Sequence, residues 1–159
     1  MSVVLTPSLP TPDAVGRVLR DLFGKGVTQK KASAPLAMSP KAFAAAYRDD
    51  RDALVGICLC DIPLAATVGS ALALVPPDAA NAAVKTGKLP AEMLDNFREV
   101  LNILHRQFGA LHVQFKELVQ PGDKIPPNIA TGTAKPASRL DLEIVVAGYP
   151  VGRLTFLLV

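Results

Sequence analysis

The order of its periodic segments predicts an α+β domain, an antiparallel or mixed β-sheet with helices packed on one face. Three observations carry this. The segments run helix, strands, three helices, strands; the apolar spacing after residue 109 changes from helical to alternating; and no strand–Gly-rich loop–helix unit occurs. With 159 residues, 50% of them hydrophobic, the chain has enough apolar mass for a single buried core. It reads as one domain over residues 12–159 behind a short N-terminal extension, residues 1–11.

Thr11-Pro12-Asp13 supplies an N-cap, a first-turn proline and a first-turn acid. Val15, Val18, Leu19, Leu22 and Phe23 follow at helical spacing, so the first helix is expected over 12–24. VTQKKASAP, from Val27, is strand-like but weakly patterned, with Pro35 and Pro40 framing a connection. KAFAAAYRDDRDALVGICLCD reads as a hairpin turning at Asp49-Asp50-Arg51. Asp61 is placed to cap a helix reaching Val75, where Pro76-Pro77 stop it, and Asp78 to cap a shorter one ending at Gly87. A further helix spans 89–109, with Pro90 in its first turn and Gly109 as its left-handed cap. LHVQFKELV reads as a strand, residues 121–138 as one long loop, and RLDLEIVVAGYPVGRLTFLLV as a closing hairpin.

Composition removes several function classes. The 17 basic and 14 acidic residues are scattered, giving a net charge of only +3, and with no Trp and few other aromatics there is no base-stacking platform. Nucleic acid is therefore not an expected partner. MSVVLTPSLPTP lacks a basic start and meets prolines too soon for a signal-peptide core. The longest apolar run, Ile62–Val75, is shorter than the ~20 residues of a membrane-spanning helix and reads as a buried helix. No membrane insertion and a cytoplasmic location are expected. Cys58 and Cys60 would lie on one face of a strand as reduced core thiols. His105 and His112 have no nearby Cys or His, so neither a metal site nor a cofactor of the chain's own is expected.

Helix 89–109 holds the candidate site. At ~100° per residue, Asp95, Glu99, Asn102 and Arg106 fall within a sector roughly 60° wide. Met93, Phe97, Val100, Leu101, Leu104 and Phe108 gather opposite. Such a stripe can be simply the solvated face of an amphipathic helix. Two features sit awkwardly with that reading: Asp95 and Glu99 form a like-charge i, i+4 pair, unfavourable by roughly 0.2–0.5 kcal/mol, and Asn102 is a mediocre helix former in mid-helix.

Asp95-x3-Glu99-x2-Asn102 resembles the D/S-x3-E-x2-N signature of the CheC/CheX family of response-regulator phosphatases. The resemblance extends through the element order over roughly residues 12–159, including Gly152 in the final strand pair. It implies a CheX-like fold and hydrolysis of the aspartyl phosphate of a CheY-type receiver domain. Asn102 would orient the attacking water, Glu99 would meet the receiver's active-site lysine and Asp95 would assist at the edge of the contact. Arg98 and Arg106 would flank the partner, and the Mg²⁺ would be held by the receiver. The chemistry suits a loose phosphoryl-transfer transition state, for which a catalyst contributes mainly by placing water in line and by electrostatic complementarity. An uncharged amide does this without bringing negative charge to the phosphoryl group.

Two positions depart from the family pattern. The second motif copy of CheC-type members would fall on Asp61, Ala65 and Val68 and is absent, so the likeness is to the single-site CheX type. Bulky Ile103-Leu104-His105-Arg106 follows Asn102 where relatives have small residues. These departures motivate an alternative, a non-catalytic receiver-binding or dimerising adaptor with the same fold; a structural subunit related to flagellar-switch components is a third possibility. The family implies a homodimer joined across a sheet edge, with LTFLLV as the contributing strand.

Overall fold

The computed structural model describes residues 6–24, 26–39, 41–109 and 112–159. The first five residues of the expected extension, Lys25, Pro40 and the Leu111 end of the expected LHVQFKELV strand lie outside these. The elements are α1 (Pro12–Phe23), β1 (Val27–Lys31), β2 (Ala42–Arg48), β3 (Leu54–Asp61), α2 (Ile62–Ala71), α3 (Pro77–Thr86), α4 (Ala91–Ile103) with a 3₁₀ turn (Leu104–Phe108), β4 (Gln114–Val119), α5 (Pro127–Ala134), β5 (Ser138–Val146) and β6 (Gly152–Leu158).

The strands form one antiparallel sheet in the order β1-β5-β6-β3-β2-β4. Period-2 alternation divides β3 between two cores. Cys58 and Cys60 face a large cluster with Leu19 of α1, Leu64 and Val68 of α2, and Phe97 and Leu101 of α4. Ile57 and Leu59 face a smaller cluster on the other side with Ala44, Ile129 and Leu157. Both thiols thus share a face, as the spacing predicts, and both are free and buried.

Capping follows the sequence signals at two helices. Thr11 Oγ1 accepts from the Ala14 N–H at 3.1 Å, and Asp61 Oδ1 accepts from the Leu64 N–H at 2.9 Å. At α3 the outcome differs: Pro76 takes the cap position, with Asp78 inside the first turn and no side-chain cap bond. α2 is also shorter than expected, ending at Ala71. The long loop over 121–138 contains a helix, α5, whose buried Ile129 belongs to the smaller cluster on the sheet face opposite α1, α2 and α4.

Another difference bears on assembly. The terminal strand β6 pairs with β5 on one side and β3 on the other, so LTFLLV lies inside the sheet and offers no free edge. Its apolar character reflects burial of both faces, with Leu154, Phe156 and Leu157 all essentially inaccessible. The sheet edges belong to β1 and β4. At the start of β6, Gly152 lets α2 approach: a Cβ there would sit 2.5 Å from the Leu64 backbone nitrogen.

Candidate functional site: the exposed stripe of α4

α4 packs on α2 and the sheet through Met93, Phe97, Val100 and Leu101, all buried. Leu104 and Phe108 continue this apolar side through the 3₁₀ turn, and the Phe97 ring meets Phe43 of β2 edge-on at 5.0 Å. With that face committed, Asp95, Glu99 and Asn102 are exposed. No hydrogen bond or ion pair from another described residue engages the three side chains. The helix is therefore a rigid platform whose polar groups are directed at whatever lies outside.

Arg98 is half-buried at the flank of the stripe, and Arg106 is exposed but lies in the 3₁₀ turn, beyond the end of the α-helix. The tighter winding there carries Arg106 off the α-helical phase that aligns the other three, because a 3₁₀ turn advances about 120° per residue. Among the described residues neither arginine forms an ion pair.

Two interactions hold α4 in place that spacing alone does not reveal. The buried Tyr47 hydroxyl, from β2, donates to the carbonyl of Leu101 at 2.5 Å, one residue before Asn102 and at the changeover from α to 3₁₀ winding. Asn96 Nδ2 donates to the carbonyl of Gly69 in α2 at 3.1 Å. A fully buried tyrosine and an asparagine on the flank of an amphipathic helix are the signals that point to such contacts. His105, in the 3₁₀ turn, has its Nε2 buried without a partner; burial, reinforced by the neighbouring Arg106 charge, lowers its pKa.

The frame of α2 that matches the motif is structural throughout. Ala65 and Val68 are buried. Asp61 caps the helix and also accepts from the Arg153 N–H at 3.1 Å. Burial raises its pKa, against the opposing effect of the Arg153 and Leu64 hydrogen bonds. Among the described residues no three His, Cys, Asp or Glu side chains converge as a metal site would need, and no helix is long and apolar enough to cross a membrane.

Solved structures similar to this one share its architecture at low sequence identity. A chain of the CheX–CheY–BeF3–Mg²⁺ complex from Borrelia burgdorferi is 14% identical, with 92% of this chain and 93% of that one covered and a TM-score of 0.51. The FliM middle domain from Vibrio alginolyticus is 10% identical over 92% of this chain and 86% of that one, also with a TM-score of 0.51. No family model and no curated protein sequence matches the chain. The six-stranded antiparallel sheet with α1, α2 and α4 on one face is an α+β fold of the CheC/CheX type, as the sequence resemblance implies.

Proposed function

We propose that the chain is a phosphatase for the aspartyl phosphate of a CheY-type receiver domain. The observation that carries this reading is the exposure of Asp95, Glu99 and Asn102 at i, i+4 and i+7 on α4, with no side-chain partner among the described residues. Asn102 orients a water for in-line attack, its amide donating and accepting without adding charge. Glu99 meets the receiver's lysine in a charge-assisted contact, and Asp95 supports the edge of the interface. Arg98 and Arg106 bind the partner at its flanks. The Mg²⁺ is the receiver's own. The CheX-like fold supports the reading, since a similar chain occurs in a complex with CheY, BeF3 and Mg²⁺. The proposal places the protein in the cytoplasm, where receivers are found, as a homodimer formed through the β1 or β4 edge.

The test is phosphate release from a phosphorylated cognate receiver. Asn102→Ala is expected to lower the rate roughly 100-fold or more, the scale for losing one oriented polar group at a transition state. Equal rates for the two proteins would refute the catalytic role.

The second reading, a receiver-binding adaptor without turnover, is favoured by one observation: the α-helix ends one residue after Asn102 and is followed by bulky, partly buried side chains. Under it, the phosphorylated receiver is retained in pull-down while its phosphate persists at the spontaneous rate.

A further inference from the structure

A cleft of about 500 Å³ opens where the C-terminal end of α2 meets α3 and the first turns of α4. Its walls are apolar, built from Ala73, Val75, Ala79 and Met93, whereas its polar groups share one character. Glu92 and Asp95 place exposed carboxylates at the rim, with no ion pair among the described residues. Asn96 uses one amide N–H on the Gly69 carbonyl, and among the described residues its Oδ1 has no partner. Ser70 also lines the cleft; it is only 1% exposed, and its Oγ has no hydrogen-bond partner among the described residues. A buried hydroxyl left unpaired costs stability and calls for a ligand group to complete it.

The occupant's charge follows from competition between two fields. The N-terminus of α4, beginning beside Pro90 without a side-chain cap, contributes about half a positive charge. The two carboxylates contribute two full negative ones, so a cation is preferred. Its shape follows from the walls: an apolar channel beneath an acidic rim fits a long methylene stem carrying a charged head. The channel is preformed, because the Tyr149 hydroxyl donates to the Val75 carbonyl at 2.5 Å and the Val75 N–H donates to the Ser70 carbonyl at 2.9 Å. Between the lining residues Ala73 and Val75, Leu74 stands 89% exposed with a left-handed backbone, φ 57°. A bulky apolar residue held out in that conformation is an outlier that points to use, here as an apolar contact beside the cleft.

We infer that this cleft receives a lysine or arginine side chain of a partner protein, with the residue flanking that side chain packing on Leu74. The inference shares Asp95 with the phosphatase reading but is separable from it, because it requires no turnover and no role for Asn102.

Backbone-amide NMR titration of the whole protein tests it directly. The probes are blocked single residues, N-acetyl-arginine methylamide and its glutamate and norleucine counterparts, and the acetylated tripeptide amide Leu-Arg-Leu. The arginine probe is expected to shift Ser70, Ala73, Val75 and Asn96 saturably, with Kd on the order of 1 mM. The tripeptide should bind at least about threefold tighter, a gain lost in Leu74→Ser. Glu92→Gln should weaken arginine binding several-fold, and Ala73→Leu, at an exposed position, should fill the channel and abolish it. Ser70→Ala should weaken binding while raising Tm by roughly 2–4 °C, since it removes an unpaired buried group. Equal binding of the glutamate or norleucine probe, or arginine binding unchanged in both Glu92→Gln and Ala73→Leu, would overturn the assignment. Failure of these titrations would leave Asn102-dependent phosphate release intact, and loss of that activity claim would leave the titrations standing.

Discussion

α2 and α4 lie side by side over the same sheet face, so close that a Cβ on Gly69 of α2 would fall 2.4 Å from the Met93 carbonyl oxygen of α4. Yet α2 is buried at every residue from Leu64 to Ala71, whereas α4 buries one side and exposes Asp95, Glu99 and Asn102. Layer position explains the difference. α2 is enclosed by the sheet below, α3 on one flank and α4 on the other, and IPLAATVGSA is accordingly apolar or small all round. Only the outer helix has a free side. The D-x3-E-x2-N spacing becomes a surface on α4 because the chain leaves that side uncovered, and the matching frame of α2 could not serve a partner whatever residues it held.

The strongest way to break this comparison is to write the motif's acid into the inner helix. Ala65→Glu places a carboxylate at a fully buried position among apolar neighbours, and urea denaturation should show a loss of more than about 4 kcal/mol or outright unfolding. The reciprocal change, Glu99→Ala on α4, should alter stability by no more than about 0.5 kcal/mol while weakening receiver engagement. A large stability loss from Glu99→Ala would mean that the stripe is structural after all. Next in size is the Asn102→Ala effect on phosphate release, roughly 100-fold or about 2.7 kcal/mol of barrier, with Tm unchanged.

Much of this contrast is legible in the residues. Alternating charges and apolar groups over 91–108 disclose a two-sided helix, and the apolar run after Asp61 discloses an enclosed one. Thr11 and Asp61 mark helix starts because their side chains satisfy an otherwise orphan N–H. The failures have a common physical cause, dependence on distant partners. α5 lies in a Pro-, Gly- and Thr-rich stretch without clear periodicity, and Ile129 buries itself against strands distant in sequence. LTFLLV looks like an exposed edge until β5 and β3 flank it; a strand's own residues do not state its place in a sheet. In the same way the α4 stripe is visible in one segment, while Tyr47, which holds the Leu101 carbonyl from 54 positions away, is visible only after folding.

That tyrosine supplies a smaller test of how α4 is held. Tyr47→Phe removes the buried hydrogen bond to Leu101 while keeping the ring that packs 4.8 Å from Phe108. It should cost about 1–2 kcal/mol by urea denaturation. If the bond fixes the α to 3₁₀ changeover beside Asn102, amide exchange at 102–106 should quicken more than exchange in α2. Uniform quickening across both helices would assign Tyr47 to the core alone.

The smallest effect concerns how α2 begins. Asp61 caps the helix, and burial raises its pKa even against the hydrogen bonds from Arg153 and Leu64. A raised carboxyl pKa means that the folded protein takes up a proton before the unfolded chain does, so acidification from neutrality favours folding at this site. The gain is complete only below the unfolded value of about 4. Asn caps as well as Asp does and carries no charge to bury. Asp61→Asn should therefore match or slightly exceed the natural protein at pH 7, within about 1 kcal/mol, and lose that advantage towards pH 4. Asp141 works in the opposite sense. Burial would raise it, but hydrogen bonds from Arg139, Thr155 and the Leu36 N–H, with the Arg139 charge, bring it down to about 2. Its stabilisation is present above pH 4 or so and lost as pH falls from there through about 2. Taking the difference between the natural protein and Asp61→Asn cancels the Asp141 contribution. A difference that moves against the natural protein on acidification would show that the inner helix depends on the Asp61 charge rather than tolerating it.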